Sequence, residues 1–186
     1  MQATLRLFVA LLPDAASAGA LQAAAVAMGG RLPPHRSIPA EQLHMTLAFI
    51  GETRAKEVRE VKESVDRSCA GLEPFTLTAE RIVTIPTPED GGPPRLIAAV
   101  TDAPPTLLEV HRRLVQRLTR PKKNGRRSRF LPHLTLARYR HGETSDALDD
   151  LLPTPVAWRV SGVTLYASTL TASGSIYDAL HRSELK

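Results

Sequence analysis

The heptapeptide Leu43-His44-Met45-Thr46-Leu47-Ala48-Phe49 decides the fold, because its residue types alternate as a half-buried β-strand requires. Successive side chains of a strand point to opposite faces of the sheet. The apolar residues at positions 43, 45, 47 and 49 therefore share one face, which predicts a hydrophobic core beneath a strand over 43–50. His44 and Thr46 share the other face, where an imidazole lies beside a hydroxyl group.

A second segment, Pro132-His133-Leu134-Thr135-Leu136, repeats this pattern about half a chain later. Its leucines are predicted to face the core, and His133 and Thr135 the opposite side. The surrounding elements repeat as well, since each half reads as strand, helix, His-x-Thr strand, helix and strand. The predicted strands are 5–11, 43–50, 75–85, 95–101, 131–139, 156–168 and 175–181, and the predicted helices are 14–28, 53–69, 104–118 and 145–152.

Two halves related by a pseudo-twofold axis would bring both His-x-Thr faces to one cleft. Two imidazoles can then divide acid–base catalysis, because a neutral one accepts a proton and a protonated one donates a proton. Threonine hydroxyls can donate hydrogen bonds to phosphate oxygens, and the set therefore suits cleavage of a phosphodiester. A single His-x-Thr on a strand is more often structural; the second copy in the same register favours catalysis.

Other kinds of site find little support in the sequence. The motif histidines lack carboxylates at metal-ligand spacing, and the single cysteine, Cys69, excludes a zinc site of several thiolates. Neither a Gly-x-Ser-x-Gly elbow nor a Gly-rich phosphate loop is present. No apolar run approaches the roughly 18 residues of a membrane span. The remaining histidines are interpreted as solvated: His35, His111, His141 and His181.

The positive charge of the chain is concentrated in one segment. Residues 120–129 contain six basic and no acidic side chains, whereas the formal net charge of the whole chain is +5. The remainder is close to neutral, and this pattern favours a local anionic partner over a generally basic surface. We hypothesise that this basic segment contacts phosphates outside the reacting bond; a solvated loop is the alternative.

The motifs and their flanks resemble the two-histidine phosphoesterases, and among them the bacterial RNA 2',3'-cyclic phosphodiesterases, also called 2'-5' RNA ligases. The similarity begins at Arg6-Leu7-Phe8-Val9-Ala10 and includes both motifs, the second with flanks from Phe130 to Arg138. It implies an α+β, bilobal, pseudo-twofold fold in which two antiparallel-rich sheets face a central cleft, with helices on the outside. We expect one domain, 1–186, with lobes of roughly 1–90 and 91–186 that exchange terminal strands.

The resemblance also implies a reaction and the residues that perform it. RNA-terminal 2',3'-cyclic phosphates would be hydrolysed to 2'-phosphates without metal or cofactor, and some members also join or cleave 2'-5' linkages. The implied proton donor is His44 and the implied acceptor is His133, while Thr46, Thr135 and Arg138 hold the phosphate. The implied partner is RNA with a cyclic phosphate end, tRNA fragments among the candidates. We expect a cytoplasmic monomer that binds no membrane.

Two alternatives remain open: a non-catalytic module that binds RNA ends in the same cleft, and a cyclic phosphodiesterase for a small nucleotide such as ADP-ribose cyclic phosphate.

Arg138 does not fit the alternation, which puts it on the face opposite His133 unless the strand bulges or bends. The same alternation puts Tyr139 on the His133 face, where it would stack on a base or pack. Phe8 has the same two interpretations.

Overall fold

A computed structural model describes residues 3–28, 34–87, 92–119, 130–139, 148–171 and 174–186. The basic segment 120–129, His141 and the first residues of the predicted helix 145–152 lie outside these ranges. Short 3₁₀ turns occupy Ala40–Gln42 and Ala55–Glu57. The other elements are, in order, β1 Thr4–Leu11, α1 Ala15–Ala27, β2 His35–Ser37, β3 Met45–Arg54, α2 Val58–Cys69, β4 Phe75–Ile85, β5 Leu96–Thr101, α3 Pro105–Leu118, β6 His133–Tyr139, β7 Asp149–Val160, β8 Gly162–Thr171 and β9 Gly174–Glu184.

The strands form two antiparallel sheets. The four-stranded sheet has the order β3-β1-β8-β9, and the five-stranded sheet has the order β2-β6-β5-β4-β7. Each sheet draws strands from both halves of the chain, since β8 and β9 join β1 and β3, whereas β2 and β4 join the sheet of the second motif. The expected α+β class, with two antiparallel sheets facing a central cleft, is confirmed.

Helices α1 and α3 each precede the motif strand of one sheet but pack against the other sheet. α1 lies between β1 and β3 in sequence but packs against β6 and β7, whereas α3 lies between β5 and β6 but packs against β3. α2 packs against α3, β8 and β9, and one buried cluster joins side chains of both sheets and all three helices. This crossed packing fixes the strands of the two motifs, β3 and β6, relative to each other. Within the described ranges, every helix is too short or too polar to cross a lipid bilayer.

The prediction that the first motif strand ends at Gly51 is wrong, because β3 continues to Arg54. Gly51 has a φ of 86° and follows Ile50, which the pairing with β1 skips. A glycine here lets the strand pass a bulge, since glycine adopts positive φ without strain. The following helix, α2, therefore begins only at Val58.

Three predictions elsewhere are also wrong. Asp149, predicted to be helical, begins β7, which pairs with β4 along most of its length. The long strand predicted at 156–168 is two strands in different sheets, separated at Ser161. Residues 35–37 lie outside every predicted strand and helix, yet they form the short strand β2, which pairs with β6 at the sheet edge.

Candidate active site

The first motif histidine lies at the entry to β3. His44 follows the 3₁₀ turn Ala40–Gln42, and its Nδ1 is 2.7 Å from the carbonyl oxygen of Gln42. A carbonyl oxygen only accepts hydrogen bonds, so Nδ1 carries the hydrogen and donates it. Nε2 is therefore the ring nitrogen that remains available to exchange a proton.

The second motif histidine is held in the same way. His133 is the first residue of β6, and its Nδ1 is 2.8 Å from the carbonyl oxygen of Leu131, again two residues earlier. Both imidazoles are half-buried and both leave Nε2 free of this contact. The two halves of the chain thus present equivalent proton-exchange groups.

Both motif strands bulge immediately after the threonine. The pairing of β3 with β1 skips Leu47, and the pairing of β6 with β5 skips Leu136. Each of these leucines is 2% exposed, and the alanine that follows each of them is buried too. A bulge shifts the alternation of side chains by one residue. The residue after each alanine, Phe49 in β3 and Arg138 in β6, therefore turns to the face of the His and Thr.

The bulge at Leu136 places Arg138 in the cleft. The residue lies on the same face as His133 and Thr135, and its positive charge lowers the pKa of both motif histidines. The bulge that Arg138 needs in order to share the face of His133 is therefore present. Tyr139, predicted to share the face of His133, turns the other way and packs against the core, because the same bulge reverses its direction.

Phe49 occupies in β3 the position that Arg138 occupies in β6. Strict alternation predicts it in the core, and this prediction is wrong, because the bulge at Leu47 turns it to the cleft face opposite Phe8. Its side chain is 70% exposed, and its ring centroid is 6.3 Å from that of Phe8. A phenylalanine this exposed at a cleft is available for a ligand.

Aromatic rings surround His44. Phe8 lies 5.3 Å from the imidazole and stacks on Tyr166 at 5.3 Å, and Tyr177 meets the imidazole edge-on at 5.2 Å. These rings line a cavity of about 250 Å³ beside His44, together with Leu12, residues 41–43 and Ile176. Phe8 borders this cavity but is only 4% exposed, which fits its interpretation as a packed residue. Sequence reasoning missed the two tyrosines, which β8 and β9 bring from the far end of the chain.

The backbone carbonyl groups of Leu47 and Leu136, the residues that the strand pairing skips, accept hydrogen bonds from groups outside the paired strands. The imidazole of His111, on α3, donates through Nδ1 to the carbonyl oxygen of Leu47 at 2.8 Å and stacks on Phe130 at 3.7 Å. The backbone N–H of Ile38 donates to the carbonyl oxygen of Leu136 at 2.8 Å. The prediction that His111 is solvated is therefore wrong. His181 is also paired, with Asp66 at 2.7 Å.

Burial controls the acid–base properties of the motif histidines. Desolvation lowers the pKa of His44 below its ordinary value of 6.5, the carbonyl of Gln42 opposes this, and the charges of Arg138 and His133 lower the pKa further. Desolvation also lowers the pKa of His133, with the carbonyl of Leu131 opposing and Arg138 adding to the effect. Both rings are mostly neutral near pH 7, and an anion between them would raise both pKa values.

The motif residues are not arranged as metal ligands. Among the residues that the structure describes, no group of three or more His, Cys, Asp and Glu side chains is close enough to hold a metal ion. The groups on the same strand faces as the two imidazoles are instead the hydroxyls of Thr46 and Thr135 and the guanidinium of Arg138, and aromatic rings contact His44. This set can move protons and bind an anion beside a planar ring system.

Comparison with known proteins gives the family. Residues 13–171 match the model described as the 2'-5' RNA ligase superfamily. An RNA 2',3'-cyclic phosphodiesterase of Methanothermobacter thermautotrophicus is 29% identical over 146 residues, which span 74% of this chain and 75% of that protein. Another, of Thermotoga maritima, is 24% identical over 148 residues, spanning 78% and 77%. The resemblance predicted from the motifs is confirmed.

Solved structures give the same fold. The crystal structure of TT0787 of Thermus thermophilus superposes with a TM-score of 0.76 at 26% sequence identity, and the match covers 97% of each chain. The two-sheet architecture is therefore shared over almost the whole length.

Replacing His111 tests whether its hydrogen bond positions the first motif. His111→Phe keeps a ring against Phe130 but leaves the carbonyl of Leu47 without its donor. We expect the free energy of unfolding in urea to fall by about 1–3 kcal/mol and the NMR resonances of His44 and Thr46 to shift.

The matched control is His111→Asn, whose side-chain amide can donate in place of Nδ1. It should leave the resonances of His44 close to those of the wild type. Unchanged resonances in His111→Phe would show that the bulge does not depend on this contact.

Proposed function

This chain belongs to the 2'-5' RNA ligase superfamily, and on that premise we propose that it hydrolyses RNA-terminal 2',3'-cyclic phosphates to 2'-phosphates through His44 and His133. Its relatives over most of the chain are RNA 2',3'-cyclic phosphodiesterases, and the chain is an enzyme of that kind. The observation that carries the proposed mechanism is the matched pair of imidazoles, each held through Nδ1 by a carbonyl two residues earlier.

In the proposed step, the neutral imidazole of His133 accepts a proton from water, and the water oxygen attacks phosphorus. The bond between phosphorus and the 3' oxygen breaks, and protonated His44 donates its Nε2 proton to that oxygen. The products are a 2'-phosphate and a free 3'-hydroxyl group. The two imidazoles have then exchanged protonation states, and solvent restores them.

Hydrogen-bond donors stabilise the negative charge that develops on the phosphate oxygens in this step. Thr46 and Thr135 each lie two residues after the histidine of their motif, on the same face of the strand. Their hydroxyls would donate hydrogen bonds to the non-bridging phosphate oxygens. The guanidinium of Arg138 adds a charge-assisted contact, which is stronger than one between neutral groups. The charge of the bound phosphate would also raise the pKa of His44, so that the donor is protonated when it is needed.

The aromatic cavity supports a nucleotide as the substrate. Phe8, Tyr166 and Tyr177 lie beside His44, and the exposed Phe49 extends this apolar surface along the cleft. A base that stacks on an aromatic side chain contributes about 1–3 kcal/mol to binding without regard to sequence. The phosphate site and this surface together fit the terminal nucleotide of an RNA.

The proposal extends to joining of RNA ends. A 5'-hydroxyl oxygen in place of water would attack the same phosphorus, lose its proton to His133 and form a 2'-5' linkage. The 3' oxygen would leave with the proton of His44, as in hydrolysis. The site therefore needs no further group for this reaction, only a second RNA end in the place of water.

An activity assay tests the assignment of the two histidines. An oligoribonucleotide with a 2',3'-cyclic phosphate end is incubated with the protein in excess EDTA, and the product is identified by mass and by phosphatase treatment. We expect a 2'-phosphate from the wild type. His44→Ala and His133→Ala should each reduce kcat by about 10²–10⁴-fold, the usual contribution of general acid–base catalysis.

The control is His181→Ala, which removes a histidine that pairs with Asp66 on α2 and not with the motif residues. It should retain wild-type kcat. Full activity in either motif variant would refute the assignment, and binding of the RNA end without any turnover by the wild type would favour the non-catalytic module.

The pH dependence should differ between kcat/KM and kcat. The catalytic step needs one imidazole protonated and the other neutral, and both pKa values are lowered from 6.5 in the free protein. The optimum of kcat/KM, which reports the free enzyme, should therefore lie below pH 6.5. Bound phosphate raises both pKa values, so the optimum of kcat should lie at higher pH. Steady-state rates across pH measure both profiles, and coincident optima would contradict this coupling.

A further inference from the structure

Arg36 and Arg138 are direct cross-strand neighbours on the cleft face of the five-stranded sheet. β2 is the edge strand next to β6, and Arg36 is paired in register with Arg138. Residues directly opposite each other in an antiparallel pair share a face, with Cβ atoms about 4.5–5.5 Å apart. Because the bulge at Leu136 puts Arg138 on the face of His133, Arg36 lies on that face as well.

This pair of like charges has no counter-ion in the part of the chain that the structure describes. Both side chains are exposed, and neither takes part in an ion pair or a side-chain hydrogen bond among the described residues. Like charges directly opposite each other on a sheet are destabilising. Two arginines at cross-strand positions beside a cleft, without a counter-ion among the described residues, are suited to an anionic ligand that extends past both positions.

Arg36 also reaches across the mouth of the cleft. Its guanidinium lies over Gly174, in the space that a Cβ atom at that position would occupy. Gly174 begins β9, which belongs to the four-stranded sheet, so Arg36 connects the two walls. Tyr177, whose ring contacts His44, lies three residues further along β9. Arg36 therefore lies at the edge of the cleft, where a chain bound at the motif histidines would leave it.

We propose that Arg36 binds the phosphodiester next to the reacting end, so that the cleft holds two consecutive phosphates of an RNA strand. This rests on the proposed function, in which Arg138 and the two threonines hold the terminal phosphate. Arg36 lies one strand further out, about 4.8 Å from the line of β6, where it reaches a second anion. The preferred substrate is then an RNA end of two or more nucleotides, and not a mononucleoside cyclic phosphate.

The test compares Arg36→Ala with the wild type on three ligands. They are a ribodinucleotide with a terminal phosphate, the same dinucleotide with an uncharged methylphosphonate linkage, and the mononucleoside phosphate. Binding is measured with 3'-phosphate forms and turnover with 2',3'-cyclic forms. For the charged dinucleotide we expect about tenfold weaker binding and a similar loss of kcat/KM, as for one charge-assisted hydrogen bond. The other two ligands should be unaffected by the substitution.

The salt dependence gives a second readout of the same contact. Removing one contact to a single-stranded phosphate should reduce the slope of log K against log salt by about 0.7. Arg36→Lys should keep this slope while losing part of the affinity, because a lysine keeps the charge but not the planar fork of donors. Arg159→Ala, which removes an exposed arginine of β7 at the opposite edge of the same sheet, is the matched control and should change neither quantity.

Three outcomes would overturn the proposal. These are no effect of Arg36→Ala on the charged dinucleotide, an equal effect on all three ligands, and no binding of the charged dinucleotide by the wild type. An equal effect would mean that Arg36 serves the terminal phosphate or only connects the two sheets. Failure of the proposed function is separate, because it appears as wild-type binding without turnover, and the binding arm still decides the role of Arg36.

Discussion

The cleft depends on one short hydrogen bond that occurs twice, from Nδ1 of a motif histidine to the carbonyl oxygen two residues before it. The distances are 2.7 Å for His44 and 2.8 Å for His133. Because the carbonyl can only accept, each bond fixes which ring nitrogen carries the hydrogen and in which direction Nε2 points. The bond is local to each segment, so the same short sequence produces the same imidazole geometry in both halves.

The bulges after the threonines complete what these hydrogen bonds begin. They add one residue beyond the His-x-Thr pair to each cleft face, and the two halves use that residue differently: β6 contributes the cation Arg138, and β3 contributes the aromatic ring of Phe49. The cleft is therefore symmetric in its proton-exchange groups and asymmetric in what surrounds them. In the proposed function, the phosphate binds on the side of Arg138 and a base binds on the side of Phe49. The difference in surroundings is a physical basis for giving the two imidazoles different roles.

The sequence predicts the parts of this site that depend on alternation within one strand. The core positions of Met45 and Leu134, the shared faces of each His and Thr, and the helix predicted over 104–118, which the structure has at Pro105–Leu118, all follow from apolar periodicity. The direction of Phe49 and Tyr139 does not, because a bulge depends on the register of the neighbouring strand, which the local pattern does not contain. Contacts from distant segments, such as His111 on Leu47 and Tyr177 on His44, follow from packing that brings separate elements together.

The most direct test of this account is the protonation of the two motif rings, read from the ¹⁵N chemical shifts of His44 and His133 by NMR. Above the pKa of both rings, each neutral imidazole should carry its hydrogen on Nδ1 and none on Nε2. Inorganic phosphate, with sodium chloride as the control for ionic strength, should shift the Nε2 signals of both rings together and raise both pKa values. A ring with its hydrogen on Nε2, or phosphate that affects only one of the two, would contradict the shared site.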